Sequence, residues 1–138
     1  MTWPGQQPAK GELGWQMKHT ILIVDDSPLI RRSLRSWIDG TVDWEVCGEA
    51  ENGKEAVEKV EELRPDIVIL DLQMPVMNGL EAARRIRDAA PRTAMLMFTV
   101  HTSGELLKAA LEAGVTDVVS KSDRFSDHLS AALRQIVG

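Results

Sequence analysis

The sequence is poor in the residues that build covalent frameworks and transition-metal sites. Cys47 is the single cysteine among 138 residues, and there are three histidines. One cysteine excludes an intramolecular disulfide framework and a multi-cysteine metal site, and it suits a reducing compartment. Without a cluster of histidine and cysteine, zinc is not expected. We expect Cys47 to be a small buried residue in a strand.

Long hydrophobic stretches are missing as well. No apolar run reaches the roughly 18 residues of a membrane span, and the first residues lack the apolar core of a signal peptide. We therefore expect a cytoplasmic protein without a membrane partner. The formal net charge of -5 argues against broad attraction of this domain to nucleic acid or anionic membranes, so a DNA-binding output would lie elsewhere.

The composition is that of one folded domain with an extension. Hydrophobic residues make up 43% and charged residues 27% of the chain, values close to the globular average. Residues 1–18 contain Pro, Gly and Gln without sustained periodicity, which predicts a flexible N-terminal extension before a domain at 19–138. Trp3 and Trp15 could dock on the domain or on a partner, but a mobile tail is the favoured interpretation.

After residue 18, short apolar runs alternate with longer amphipathic segments, a pattern typical of βα units wound into a parallel sheet. The predicted strands are 20–24, 44–50, 67–70, 94–98 and 117–120. The predicted helices are 28–38, 53–63, 79–89, 104–113 and 125–136, each with apolar residues at intervals of three and four. Right-handed crossovers turn this order into a three-layer α/β sandwich with all carboxyl ends of the strands at one edge, where we expect the functional site.

Five chemically useful residues follow the predicted strands and should meet at this edge: Asp25, Asp26, Asp71, Thr99 and Lys121. Each acid has a structural alternative, since Asp26 could cap the next helix, Asp71 could end its strand in a turn and Asp25 could face solvent. Lys121 could be an exposed lysine with no task. Together, however, three crowded carboxylates would repel one another and raise their pKa values unless a cation held them.

The candidate ligand atoms indicate which cation would bind at this edge and which reaction it would support. A few carboxylates completed by water, a main-chain carbonyl and a phosphoryl oxygen suit Mg2+. A carboxylate beside Mg2+ can act as a nucleophile toward phosphorus and form an acyl phosphate. Asp71 is placed for that role, while Lys121 would offer a positive charge and Thr99 a hydroxyl donor to phosphoryl oxygens.

The ordered set of motifs resembles the receiver domains of bacterial response regulators over roughly residues 18 to 138. The fragments that carry the resemblance are residues 21–28 (ILIVDDSP), 65–75 (PDIVILDLQMP), 78–79 (NG), 98–99 (FT) and 113–121. An acidic pair alone would be weak evidence, whereas the ordered set is specific. The resemblance implies a flavodoxin-like fold, with a five-stranded parallel sheet of order 2-1-3-4-5 and five helices.

The resemblance also implies a role for each acidic residue. Asp71 would accept a phosphoryl group from the phosphohistidine of a sensor histidine kinase or a phosphotransfer protein. Asp26 and Asp71 would bind Mg2+ directly, Gln73 would give its main-chain carbonyl, and Asp25 would act mainly through water. The protein would be a signalling phosphoacceptor that assists its own phosphorylation and dephosphorylation, and not an enzyme.

A conformational switch follows from the same resemblance. Phosphorylation would pull Thr99 and Lys121 toward Asp71 and shift the region after the fourth strand between two packings, of which the active-like one exists in part beforehand. The responding surface would comprise helix 104–113, the last strand and helix 125–136. In the family this surface often forms a homodimer or a partner interface.

Three positions depart from the family pattern. Val118 stands where the family often has Tyr or Phe as the aromatic half of its switch, so coupling to Thr99 would be altered or absent. Val100 replaces a small residue and could narrow access to Asp71, which would slow phosphoryl transfer. Lys121 is followed by serine instead of proline, a variation also found in receivers joined to LuxR-type helix-turn-helix outputs. Gln73 and His101 could influence water access to the acyl phosphate, but His101 is expected to be an exposed loop residue.

Three other functions fit parts of the pattern. A pseudo-receiver would use the fold as an interaction module without phosphorylation; the retained acids, threonine and lysine argue against it, while Val100 and Val118 leave it open. A phosphohydrolase of the haloacid-dehalogenase kind needs a second acid two residues after the nucleophile, where this chain has Gln73, and it needs room for a substrate cap. Dinucleotide binding is disfavoured because no G-x-G-x-x-G follows the first strand.

Overall fold

Five parallel strands form the central layer, with helices on both faces. The computed structural model describes residues 18–100 and 102–137. The strands are β1 (His19–Val24), β2 (Trp44–Ala50), β3 (Ile67–Leu70), β4 (Ala94–Thr99) and β5 (Asp117–Ser120). The helices are α1 (Pro28–Asp39), α2 (Gly53–Leu63), α3 (Gly79–Ala89), α4 (Gly104–Glu112) and α5 (Phe125–Val137). The strand order is β2-β1-β3-β4-β5, which confirms the predicted three-layer fold.

Apart from Lys18, the predicted N-terminal extension with Trp3 and Trp15 lies outside the described residues, as does His101. Within the described residues, the element bounds agree with the prediction to within one residue. The main difference is that Thr99 ends β4, where it pairs with Ser120 of β5, instead of following the strand. Among the helices described, none is both long and apolar enough to cross a membrane.

Alternation of side chains gives the sheet two buried faces. Leu22 and Val24 of β1 pack on the side of α2, α3 and α4. Ile21 and Ile23 pack on the side of α1 and α5. Because helices cover both faces, four consecutive apolar residues of one strand can all be buried, as in residues 21–24 of β1 and 67–70 of β3.

Side-chain caps start four of the helices, between two and eight residues after the preceding strand ends. Each cap accepts a hydrogen bond from the main-chain N–H three residues further on, which satisfies one of the free donors of the first turn. The caps are Ser27, Asn52, Asn78 and Ser103. The caps thus define where these four helices begin on the side of the carboxyl edge.

Strand β2 lies at one end of the sheet and contains an irregularity. Ile21 pairs with Val46, but Leu22 pairs with Gly48, so Cys47 is an extra residue in the β2 ladder. Cys47 is half-buried, and not buried as predicted, because β2 has a neighbouring strand on one side only. Burial still raises the pKa of its thiol, with weaker opposing effects from hydrogen bonds.

Candidate functional site

Two aspartates and a lysine meet at the carboxyl edge of the sheet. Lys121 Nζ lies 2.7 Å from Asp25 Oδ2 and 3.1 Å from Asp71 Oδ1. Asp25 is 1% exposed and Asp71 6% exposed, so both charges are largely withdrawn from water. The three residues come from the ends of β1, β3 and β5, as the parallel topology predicted.

The main chain and Lys121 fix the Asp25 carboxylate from several sides. Its Oδ1 accepts a hydrogen bond from Ser27 N at 2.9 Å, and its own N–H donates to the carbonyl of Ala50 at 3.1 Å. Oδ2 is fully buried and accepts no well-oriented hydrogen bond, although Lys121 Nζ is close. The alternative that Asp25 faces solvent is therefore wrong.

Asp26 completes an acidic triad. One carboxylate oxygen from each of Asp25, Asp26 and Asp71 lies within 4.8 Å of the others. Asp26 is exposed, and the cap of α1 is Ser27, so the capping alternative for Asp26 is also wrong. A donor set made of carboxylate oxygens fits a hard divalent cation such as Mg2+.

The surroundings of the site raise the pKa of both Asp71 and Lys121, for different reasons. Burial raises the pKa of Asp71, the charge of Asp25 raises it further, and Lys121 opposes part of the shift. Burial lowers the pKa of Lys121, but its contacts with Asp25 and Asp71 outweigh burial, so the pKa is raised overall. Lys121 therefore remains a cation at neutral pH. The Phe98 ring centroid lies 5.7 Å from its Nζ.

The main chain around Asp71 is closely packed. Asp71 N donates to the carbonyl of Val24 at 2.9 Å, and Asp71 Oδ1 accepts from Leu72 N at 2.8 Å. Gly79 begins α3 and donates its N–H to the Leu72 carbonyl at 2.7 Å. A Cβ atom at Gly79 would collide with the main-chain carbonyl of Asp71. Glycine is therefore required for α3 to approach the strand end this closely.

The positions expected to act in a switch lie beside the acidic triad. Thr99 is buried at the end of β4. Thr99 pairs with Ser120 of β5, and Val118 lies two residues before Ser120 in the same strand. The side chains of Thr99 and Val118 therefore point to the same face of the sheet. Val100 is 65% exposed in the next loop, and Gln73 is exposed in the loop after β3. The expected effects of Val100 and Val118, and the expected carbonyl ligand from Gln73, stay predictions.

Arg31 and Glu49 join the site although the sequence analysis did not single them out. Arg31 Nη1 donates to the main-chain carbonyl of Asp25 at 2.7 Å, and Arg31 Nε donates to Glu49 Oε1 at 3.0 Å. The available signals were an arginine in the second turn of the helix after the acidic pair and an acid near the end of β2. Neither signal reveals the contact without knowledge of how α1 crosses β2.

The sequence model of a protein family, the response regulator receiver domain, matches residues 21–134 of this chain. The chain belongs to this family. Receiver domains generally bind Mg2+ at an acidic cluster of the kind seen here, and they interact with histidine kinases or phosphotransfer proteins. The motif order that the sequence analysis relied on is thus confirmed as that of a receiver domain in two-component signalling.

Curated relatives match this chain over about a third of their own length. A protein-glutamate methylesterase/protein-glutamine glutaminase 1 of Methanosarcina acetivorans is 44% identical over 109 residues, which are 77% of this chain and 31% of that protein. The chain thus spans about a third of the length of the curated relatives it matches.

Solved structures show the same fold. The response regulator domain of Thermotoga maritima CheB has a TM-score of 0.79 and 35% identity, covering 87% of this chain and 94% of that one. A LuxR-family two-component response regulator from Aurantimonas sp. SI85-9A1 has a TM-score of 0.82 and 33% identity, covering 88% and 86%. A CheB receiver and a LuxR-family regulator are thus both similar to this chain, and the LuxR-type ancestry suggested by the serine after Lys121 stays a prediction.

Proposed function

We propose that this receiver domain accepts a phosphoryl group on Asp71 in a Mg2+-dependent reaction and thereby changes its partner-binding surface. The observation that carries the proposal is the contact of the Asp71 carboxylate with Lys121, 3.1 Å away, beside two further carboxylates. A nucleophilic oxygen, a cation for a phosphoryl oxygen and ligands for a metal ion thus share one edge of the sheet.

The transfer step moves phosphorus from nitrogen to oxygen. A carboxylate oxygen of Asp71 attacks the phosphorus of a donor phosphohistidine, the P–N bond breaks, and its electron pair leaves with the imidazole. Lys121 supplies positive charge to a phosphoryl oxygen, and Thr99 supplies a hydroxyl donor to another. Asp25 holds Lys121 in place through the 2.7 Å contact.

Four residues would hold the metal ion. Asp26 and Asp71 would bind it directly, Gln73 would contribute its main-chain carbonyl, and Asp25 would act mainly through water. When bound, Mg2+ neutralises charge on the group being transferred and thereby lowers the barrier. The donor chemistry of the triad supports this assignment, because every side-chain ligand atom is oxygen.

The proposed output is a change of surface, and the chain itself is proposed to act as a phosphoacceptor and not as an enzyme. The surface is formed by α4, β5 and α5, where Leu107 is 41% exposed and Leu111 50% exposed. Exposed leucines on one helix support a homodimer or partner interface. The domain is further proposed to act in the cytoplasm and not to bind nucleic acid directly. The methylesterase activity in the names of some relatives is not assigned to this chain.

The decisive experiment is the intact mass of the protein after incubation with phosphoramidate and Mg2+. We expect a single phosphoryl adduct that is absent from Asp71→Asn and from a sample treated with a chelator. The absence of an adduct in the wild type would favour a pseudo-receiver or a site closed by Val100. An adduct restored by Val100→Ala would identify the closed site, and its continued absence would identify the pseudo-receiver.

A further inference from the structure

We propose that Arg31 is a positioning residue for the metal-binding acid pair, because its guanidinium fixes the peptide bond that joins Asp25 to Asp26. This inference rests on the proposed function, since it concerns the affinity of the same site for Mg2+. Arg31 lies in α1 and does not belong to the acidic triad. It acts through the main chain of the triad and does not contact a reacting atom.

A closed ring of contacts surrounds the first acid. Asp25 N donates to the carbonyl of Ala50 at 3.1 Å, and the residue before Ala50 is Glu49. Glu49 accepts from Arg31 Nε at 3.0 Å, and Arg31 Nη1 returns to the carbonyl of Asp25 at 2.7 Å. The main chain of Asp25 is therefore bound at both its N–H and its carbonyl, and both connections run to the end of β2.

The carbonyl contact matters most for the second acid. The carbonyl of Asp25 and the N–H of Asp26 belong to one planar peptide unit. A contact that fixes the carbonyl therefore also fixes the orientation of the N–H and the position of the Asp26 Cα. Asp26 is exposed, so packing does little to set its position. The orientation of this peptide unit consequently controls how near the Asp26 carboxylate comes to Asp71.

The geometry requires a guanidinium group. Arg31 uses two different nitrogens for Glu49 and for the Asp25 carbonyl, and its side chain is only 16% exposed. The planar fork of arginine presents both donors at once in a fixed geometry, whereas the ammonium of lysine is a single point. Charge-assisted hydrogen bonds of this kind are also stronger than neutral ones.

Arg35 provides a matched control one helical turn away. Its Nη2 lies 2.7 Å from Glu49 Oε2, so it shares the same acid, but its hydrogen bond runs to Glu49 and not to Asp25. Loss of Arg35 removes the same charge from the same helix. It leaves the contact between Arg31 and the carbonyl of Asp25 in place.

The sign of the effect separates positioning from simple electrostatics. A positive charge near a cation site repels the cation, so its removal should tighten Mg2+ binding if charge alone mattered. Loss of positioning should weaken Mg2+ binding, because the carboxylates no longer converge. Contacts that orient metal ligands from outside typically contribute about 10- to 100-fold in metal affinity.

The test is calorimetric titration of the full chain with Mg2+, for wild type, Arg31→Gln, Arg31→Lys and Arg35→Gln. We expect both Arg31 variants to bind Mg2+ at least about 10-fold more weakly than wild type. Arg35→Gln should stay close to wild type or bind slightly more tightly. With phosphoramidate, the Arg31 variants should need more Mg2+ for half-maximal adduct formation but should approach the wild-type rate at saturating Mg2+.

Each alternative result has a definite meaning. If Arg31→Gln binds Mg2+ as tightly as wild type or more tightly, the positioning role is overturned and the proposed function stands. If Arg31→Gln does not fold, Arg31→Lys keeps the charge and decides the matter: wild-type affinity overturns the proposal, and weakened affinity supports it. If the wild type itself binds no Mg2+ and forms no adduct, the proposed function is wrong, and the positioning role of Arg31 that rests on it is wrong as well.

Discussion

Replacing the proposed phosphoacceptor should make the metal-free domain more stable. In Asp71→Asn the largest unfavourable contribution, burial of a charge, disappears together with repulsion by Asp25. Two unit charges about 5 Å apart repel by about 3 kcal/mol at an effective dielectric constant of about 20. The variant also loses the attraction of Lys121, but that lysine keeps its shorter contact with Asp25. The raised pKa of Asp71 shows that the unfavourable contributions outweigh the favourable one.

We expect a net gain of about 0.5–2 kcal/mol in the free energy of unfolding, the usual scale of a single stabilising substitution. The assay is urea unfolding followed by tryptophan fluorescence at pH 7 with a chelator, since Trp44 is nearly buried and reports on the core. Asp43→Asn, at an exposed aspartate just before β2, is the control and should change stability little. A variant less stable than wild type would refute the reasoning.

The same prediction has a pH dependence with a definite sign. An acid whose folded-state pKa is raised binds its proton more readily when folded, so lowering the pH through that pKa removes the penalty. The advantage of Asp71→Asn over wild type should be full above the raised pKa of Asp71, shrink as the pH falls through it and vanish below the ordinary value of 3.8. Mg2+ should stabilise wild type by about 1.4 kcal/mol at ten times its Kd, and the variant less. If the difference in stability between Asp71→Asn and wild type changed with neither pH nor Mg2+, it would contradict the role assigned to Asp71.

Three further substitutions test the fold around the site. Gly79→Ala should slow adduct formation from phosphoramidate by about 100-fold, because the new methyl group displaces the Asp71 main chain; an unchanged rate would contradict this. Val76→Gly should raise the urea midpoint, because a β-branched residue at φ 69 carries about 1–3 kcal/mol of strain, more than the entropic cost of glycine; a lower midpoint would argue against strain. Ile38→Ala, at a fully buried position of α1, should cost about 2–5 kcal/mol of stability with little effect on the adduct rate; a slower rate would show that α1 transmits core changes to the site.

The sequence predicted the order of elements and the convergence of the acids because both follow from local pattern and parallel topology. Apolar runs mark β1, β3 and β4, and four of the helices have side-chain caps. Parallel strands bring Asp25, Asp71 and Lys121 to one edge. The positive φ of Val76 was not predictable, since β-branched residues avoid that region. The contact of Arg31 with Asp25 depends on how α1 packs over the end of β2, which no periodicity encodes.

The two outer strands limit the ways in which this receiver can associate. At one end of the sheet, β5 has only four residues, and at the other the β2 ladder is interrupted at Cys47. Short or bulged edges are poor templates for a strand from another chain. Partners should therefore recognise helix faces and loops instead of extending the sheet, and the folded domain should tolerate high concentration without edge-to-edge aggregation.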